Sequence, residues 1–262
     1  IGQLAVAVAS NDVAACGGAP EFLLCTILLP SADPSLLDTI TGQLDAESKR
    51  LGLTIAGGHT EVVAGLDRPL CSLTCFGVAD RYVSTGGASP GDRILLTKGA
   101  GIEATGVLAT DFRDRLSLPA ETLDRATAAF DDLSIMPEAA VLAPVATAMH
   151  DPTEGGVLEG LIEMALTAEA TVEVDREAVH VRDETRAVCD AVGVDPLRVL
   201  GSGALLAAVA PSDADDALEA LSAEGIDAVE IGRVEAGEVG VAIDGERYTE
   251  PIRDDLYALW DE

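Results

Sequence analysis

Four stretches of the chain gather acids, hydroxyls and glycines in patterns that could do chemistry. The first is Ser10-Asn11-Asp12, followed by Gly17-Gly18-Ala19-Pro20. Here a carboxylate interrupts an Ala/Val helical pattern where packing alone would want an apolar residue. A solvent-facing helical turn would look the same. The second is Gly57-Gly58-His59-Thr60-Glu61, directly after an apolar strand. Two glycines let backbone approach a ligand closely, and the side chains offer imidazole, hydroxyl and carboxylate at a strand's carboxyl end. A polar hairpin turn is the plain alternative. The third is Lys98-Gly99-Ala100-Gly101-Ile102-Glu103. A strand, a glycine loop and a helix start expose free N–H groups and the positive end of a helix dipole to an anion, with Lys98 adding charge. It lacks the G-x-x-x-x-G-K-[ST] pattern of a P-loop, and an ordinary strand-to-helix turn reads similarly. The fourth is His150-Asp151-Pro152-Thr153-Glu154-Gly155-Gly156. Mg²⁺ takes one or two carboxylates plus substrate phosphates, which suits Asp151 and Glu154. Asp151 or Thr153 as a simple helix cap is the alternative.

These groups sit in a strongly acidic chain. Its 262 residues carry 46 Asp and Glu against 16 Lys and Arg, a formal net charge of -30. Such a surface repels phosphate backbones and anionic membranes, so nucleic-acid binding is not expected. The acids are spread along the chain rather than bunched in a tail. Self-repulsion of this size is relieved by molar salt, which screens charges beyond about 3 Å. The composition therefore reads as a halophilic protein of a salt-rich cytoplasm, an acidic surface for a basic partner being the alternative. Only Lys49 and Lys98 are lysines. No apolar run reaches the roughly 18 residues of a membrane span.

The five cysteines are odd in number in a long chain, so a disulfide framework is not expected. Cys71 and Cys75 lie four apart in PLCSLTCF, on one face of a buried strand. With three histidines in all, a Cys/His metal site is not expected. Cys16, Cys25, Cys71, Cys75 and Cys189 read as small core residues.

With 48% hydrophobic residues, the chain can build a substantial core. Helical spacing over 1–18 ends at Gly17-Gly18. An apolar strand follows at 21–30. A helix over 34–52 is set by Asp33 as cap, Pro34 at its first position and Gly52 at its end. A short strand over 53–58 leads into a turn, and another strand covers 68–80. The Gly/Ser/Pro stretch YVSTGGASPGD (82–92) is the best boundary. Beyond it come a strand at DRILLTK, a helix after the glycine turn, a helix over 119–133, a helical piece at MPEAAVLA and a strand at VATAMHD. A helix over 155–169, strand 171–175, helix 183–192, strand 203–210, helix 212–224 and strands 228–234 and 239–248 complete the pattern. Mixed strands and helices without strict alternation favour an α+β fold. The chain begins mid-element without Met, so a preceding N-terminal portion is expected.

Taken in order, SNDVAACGGAP, GGHTEV, SPGDRILLTKGAGIEATGVLA, HDPTEGG and LGSGALLAAV resemble the superfamily of aminoimidazole ribonucleotide (AIR) synthetase, selenophosphate synthetase, thiamine-phosphate kinase and HypE. The resemblance spans nearly the whole chain and is nearest to an archaeal HypE-like, AIR synthase-related branch. It implies a two-domain PurM-like α+β fold: an incomplete N-terminal domain over 1–81, a linker over 82–91 and a C-terminal α+β sandwich domain over 92–262. It also implies a homodimer in which two N-terminal domains share a β-barrel. ATP and Mg²⁺ would bind in the cleft between domains, with phosphoryl transfer to an oxygen of a small-molecule substrate.

Carried over by position, Asp12 matches the family's Asn-Asp carboxylate near Mg-ATP, and Asp151 the Asp before the Thr-Glu-Gly-Gly turn. Asp12, Asp151 and Glu61 are then metal residues, and Asp151 and Glu154 catalytic. Asn11, Gly57, Gly58, Thr60, Lys98, Gly99, Gly101, Thr153, Gly155 and Gly156 are nucleotide- or phosphate-binding. His59 stands where the family has Asp; neutral imidazole is a poor Mg²⁺ ligand, and Glu61 is the substitute. HypE proper ends in Pro-Arg-Ile-Cys, whose cysteine carries the carbamoyl group. This chain ends in Leu-Trp-Asp-Glu, so a HypE reaction on a terminal cysteine in cis is not expected. A thiamine-phosphate-kinase-like enzyme and a non-catalytic nucleotide-binding scaffold for maturation of another protein are the rival readings.

Overall fold

The chain opens with helix α1 (Gly2–Ala15), whose small Ala and Val side chains let it lie close against a sheet. Strand β1 (Ala19–Leu29) alternates from Phe22 onward: Leu23, Cys25, Ile27 and Leu29 are buried, with Val6 of α1 and Ile40 and Leu44 of α2 (Pro34–Leu51) in the same core. The α2 signals act as expected. Asp33 accepts N–H bonds from Ser35 and Leu36, Pro34 fills the first turn, and Gly52 adopts φ 74°. Strand β2 (Thr54–Val62) returns parallel to β1, and β3 (Leu70–Val78) runs antiparallel on its other side, in the order β2-β1-β3. A computed structural model describes residues 1–260, so positions 261 and 262 of the expected second domain lie outside the described residues.

This small sheet corrects the expected barrel. It is open, with β2 and β3 as two unpaired edges. Closure needs strands to pair all the way round, and the three here leave both edges free. The strand expected over 53–58 also runs further. Pairing with β1 extends to Leu29–Val62, with one irregularity between Leu23 and Leu24. Gly57 to Glu61 are therefore strand, not a loop beyond it.

The rest of the chain forms a second, larger sheet. Its strands are β4 (Arg93–Thr97), β5 (Ala146–His150), β6 (Thr171–Val174), β7 (Leu206–Val209), β8 (Ala228–Glu235), β9 (Gly240–Ile243) and β10 (Glu246–Tyr248). Its helices are α3 (Ile102–Asp111), α4 (Ala120–Thr127), α5 (Met136–Leu142), α6 (Gly156–Ala168), α7 (Asp183–Val192), α8 (Ala214–Ala223) and α9 (Tyr257–Trp260). The order is β10-β9-β6-β8-β4-β7-β5, antiparallel except for β6 beside β9. Central β4 is buried on both faces. Ile94 and Leu96 join one core with α6, while Leu95 joins another with α5 and α8. That two-sided burial is why DRILLTK reads as a continuous apolar run rather than an alternating one.

Two further expectations change. The helix expected over 119–133 stops at Thr127 and continues as a 3-10 turn to Asp132. Cys16 is exposed rather than a core residue; Cys25 and Cys189 are buried, Cys71 and Cys75 half-buried, and all five thiols are free. Burial pushes the Cys189 thiol up to about 12, which keeps it inert.

Gly58 has a structural duty. Any side chain there would run into the Cys25 backbone of the neighbouring strand. Gly58→Ala must push β2 off β1, which we expect to cost about 3 kcal/mol. The thermal midpoint in concentrated KCl should fall by roughly 6 to 12 °C. An unchanged midpoint would return Gly58 to a purely ligand-facing role.

Candidate functional site

Asp151 follows the carboxyl end of β5 and Asp12 lies in the second half of α1, near enough for the Asp12 charge to act on the Asp151 carboxyl. Asp151 is 8% exposed, and its Oδ2 has no hydrogen-bond partner. Its carboxyl is pushed up to about 7, first by burial and then by the Asp12 charge; nearby His150 opposes the rise and Glu103 adds to it. Asp12 is itself raised, by burial, with His150 again opposing. Two carboxylates that resist ionising together mark a place short of positive charge.

His150 is held out of that pair. Its Nε2 meets Glu163 Oε2 at 2.8 Å, and Nδ1 lies 3.4 Å from Thr85 Oγ1. Cys16, one turn after Asp12, completes the rim. Partial burial first, then the Asp12 and Asp151 charges, push its thiol above the ordinary value.

The turn after Asp151 is tightly bound. Thr153 O accepts from Gly156 N–H at 3.2 Å and from Gly201 N–H at 3.0 Å. Gly155 and Gly156 have φ of 72° and 63°, and a side chain on Gly156 would strike the Val199 backbone. The Gly155 N–H donates to Asp254 Oδ2 at 2.8 Å, and Asp254 Oδ1 accepts from Leu256 N–H at 2.9 Å. A carboxylate of the chain's own C-terminal segment thus occupies the amide that the sequence reading gave to phosphate. Glu154 is exposed beside it and accepts from the Tyr257 phenol, which is pushed up to about 12 mainly by burial.

The other expected residues lie elsewhere. Gly99 and Gly101 have φ of 118° and 69° and pack beneath His180 and Pro196. The Ala100 and Ala104 amides donate to His180 O and Leu200 O. Lys98 is wholly engaged: its Nζ donates to Asp132 O and Ser134 O, each at 2.8 Å, and meets Glu138 Oε1 at 2.6 Å. Asn11 is fully buried and spends both halves of its amide on Leu133 and Ile135. Gly57, His59 and Glu61 are register partners of Leu24, Thr26 and Leu28, on the open face of the small sheet. His59 Nε2 and Glu61 Oε2 pair there at 2.9 Å. Asp12 approaches from the helix-covered side, so the sheet separates it from Glu61. Thr60 is exposed on edge strand β2.

Two acids went unassigned in the sequence. Glu103, 6% exposed, lies in the first turn of α3 with its Oε2 unpartnered; burial raises its carboxyl, and Asp254 and Glu154 add to that. Its signal was a lone acid in an otherwise apolar helix start. Asp254, 3% exposed, had no local signal at all.

Residues 1–79 match the model of the AIR synthase related protein N-terminal domain, and residues 89–245 that of its C-terminal domain. The carbamoyl dehydratase HypE of Rhizobium leguminosarum bv. viciae is 32% identical over 243 residues, covering 90% of this chain and 68% of that protein. HypE of Azotobacter vinelandii is 33% identical over 245 residues, 91% of this chain and 70% of the other. These two relatives are bacterial and give an archaeal branch no particular support. Among solved structures, the hydrogenase maturation protein HypE in complex with ATP matches with TM-score 0.82 at 26% identity, over 96% of this chain and 79% of that one.

Proposed function

Because this chain belongs to the AIR synthase related family and is HypE-like, we propose that it is an ATP-dependent enzyme that activates an oxygen of a small molecule by phosphoryl transfer. One observation carries the reading. Asp151 keeps a buried carboxylate oxygen without a partner, beside a second carboxylate, Asp12, delivered by the other sheet's helix. Burying such a group is costly unless something pairs with it. The structural relative solved with ATP supports a nucleotide ligand, and a cation carried with its phosphates would supply the missing positive charge.

The donor set fits Mg²⁺. Among the described residues no three His, Cys, Asp or Glu side chains form a ready cage. Mg²⁺ needs none, since it is held by one or two carboxylates plus substrate phosphates and water. Asp12 and Asp151 are hard oxygen donors and would hold it. When bound, the ion supplies neutralisation of the charge on the transferring phosphoryl group. Asp151 orients from a rigid strand end, and Asp12 from a helix. Glu154 stands exposed at the same turn as the remaining carboxylate toward substrate. The Gly155 amide reaches a phosphate only when Asp254 releases it. Asn11 and Lys98 act away from the nucleotide.

The test is Mg-ATP binding and turnover in molar KCl, with and without small amides, carbamoyl phosphate and thiamine phosphate as acceptors. Acceptor-stimulated turnover supports the enzyme and identifies its substrate class. Stimulation by thiamine phosphate alone moves the reading to a kinase of that type. ATP binding without turnover on any acceptor moves it to a nucleotide-binding scaffold.

The protein is also proposed as a homodimer. Phe22, Leu24, Leu70, Phe76 and Val78 lie exposed on one open sheet face. Contiguous apolar surface of this kind marks an interface, and here it stands out against a surface of net charge -30. Domain limits at 1–81 and 92–262, joined by 82–91, are supported by the two family matches. The acidic composition supports a salt-rich cytoplasm. Among the described residues no helix is long and apolar enough to cross a membrane.

A further inference from the structure

The segment 130–135, which leads into α5, is gripped from two sides. From α1, Gln3 Nε2 donates to Phe130 O at 3.1 Å. Two turns on, Asn11 Nδ2 donates to Leu133 O at 2.8 Å, and its Oδ1 accepts from Ile135 N–H at 3.0 Å. From the end of β4, Lys98 donates to the carbonyls of Asp132 and Ser134. Successive carbonyls at 132, 133 and 134 therefore alternate between Lys98 and Asn11. An amide offers a donor and an acceptor at one side-chain tip, so Asn11 serves this segment as a neighbouring strand would. A hydrocarbon could not do so, and Asp would lose the donor.

Asn11 and Asp12 are consecutive on one helix, so their directions differ by about 100°. Holding Asn11 on the 133–135 segment fixes the rotation of α1, and with it the direction of Asp12. We propose that Asn11 is a positioning residue that holds Asp12 against Asp151 across the two parts of the molecule. The proposal rests on the reading of Asp12 and Asp151 as the Mg-nucleotide site. It assigns to Asn11 a part in the reaction without contact with nucleotide.

The experiment is calorimetric binding of a non-hydrolysable ATP analogue, with Mg²⁺ or with EDTA, in molar KCl. The proteins are wild type, Asn11→Ala, Asp12→Asn, the double variant and Gln3→Ala. The readout is the gain in affinity that Mg²⁺ provides. Asp12→Asn should cut that gain about tenfold, and Asn11→Ala by a similar factor. The double variant should be no worse than Asp12→Asn alone, because residues acting through one another are not additive. Gln3→Ala loosens the same segment away from Asp12 and should lower the thermal midpoint without touching the Mg²⁺ gain. Asn11→Ser, which keeps one polar contact, replaces Asn11→Ala if the latter does not fold. A full Mg²⁺ gain in a folded Asn11 variant, or additive losses in the double variant, overturns the proposal. A full gain in Asp12→Asn instead overturns the metal-site reading beneath it, so the two failures are told apart.

Discussion

Replacing Asp151 by asparagine is expected to remove Mg²⁺-dependent ATP turnover while making the ligand-free protein more stable at neutral pH. The two effects share one cause. Asp151 is buried, has one oxygen without a partner, and has its carboxyl raised from 3.8 to about 7 by burial and by Asp12. Its folded-state pKa therefore lies above its unfolded value. Such a group holds its proton more tightly in the fold, so wild-type stability falls as pH rises between those two values and levels off above them. At 1.36 kcal/mol per unit, the full penalty is about 4 kcal/mol. Asparagine is never charged and escapes it.

Chemical denaturation without metal should show Asp151→Asn and wild type equal near pH 4. The variant should gain through pH 7 and keep its advantage at pH 8. Turnover should fall about a thousandfold, the usual order for losing one preorganised electrostatic group. Turnover within tenfold of wild type would take Asp151 out of the reaction. A stability difference independent of pH would show that the carboxylate is not strained by burial.

A charge on the open face of the small sheet should separate the proposed dimer. Phe76 is 45% exposed and stacks on Phe22 with ring centroids 5.5 Å apart. In a two-fold pair each contact occurs twice, so Phe76→Asp would bury two unpaired carboxylates. At roughly 2 kcal/mol each, the total of about 4 kcal/mol weakens association by nearly a thousandfold. Phe76 projects from the open face, away from the core of the small domain, so the monomer should keep its fold. Sedimentation velocity at micromolar protein in molar KCl should give a dimer for wild type and a monomer for Phe76→Asp, with matching circular dichroism. A wild-type monomer, or a dimer in both, would remove this face as the interface.

The local signals in the chain had local physical causes, and those held. Asp33, Pro34 and Gly52 bound α2 because caps and left-handed turns are settled by a few adjacent residues. The Gly155-Gly156 start of α6 was legible for the same reason. DRILLTK announced a strand, and the fold buries it on both faces. Asp12 was legible as a carboxylate that packing alone would not choose, and Asp151 as one acid in a dense run of polar residues at a strand end.

What the sequence could not disclose is which partner each polar group finds. Asn11 and Lys98 looked like ligand-binding residues because a buried polar side chain and a lone lysine beside glycines signal the same chemistry either way. Their partners lie far along the chain, at Asp132, Leu133, Ser134, Ile135 and Glu138. The Gly57 to Glu61 stretch looked like a loop because two glycines usually end a strand. Parallel pairing with β1 satisfied its backbone instead, and Gly58 proved necessary for that close approach. Asp254 reaches Gly155 through tertiary packing alone. Local patterning placed most of the elements and marked Asp12 and Asp151 as residues to watch. Only long-range hydrogen bonding decided which of those groups the fold spends on itself and which, above all the Asp151 Oδ2, it leaves without a partner.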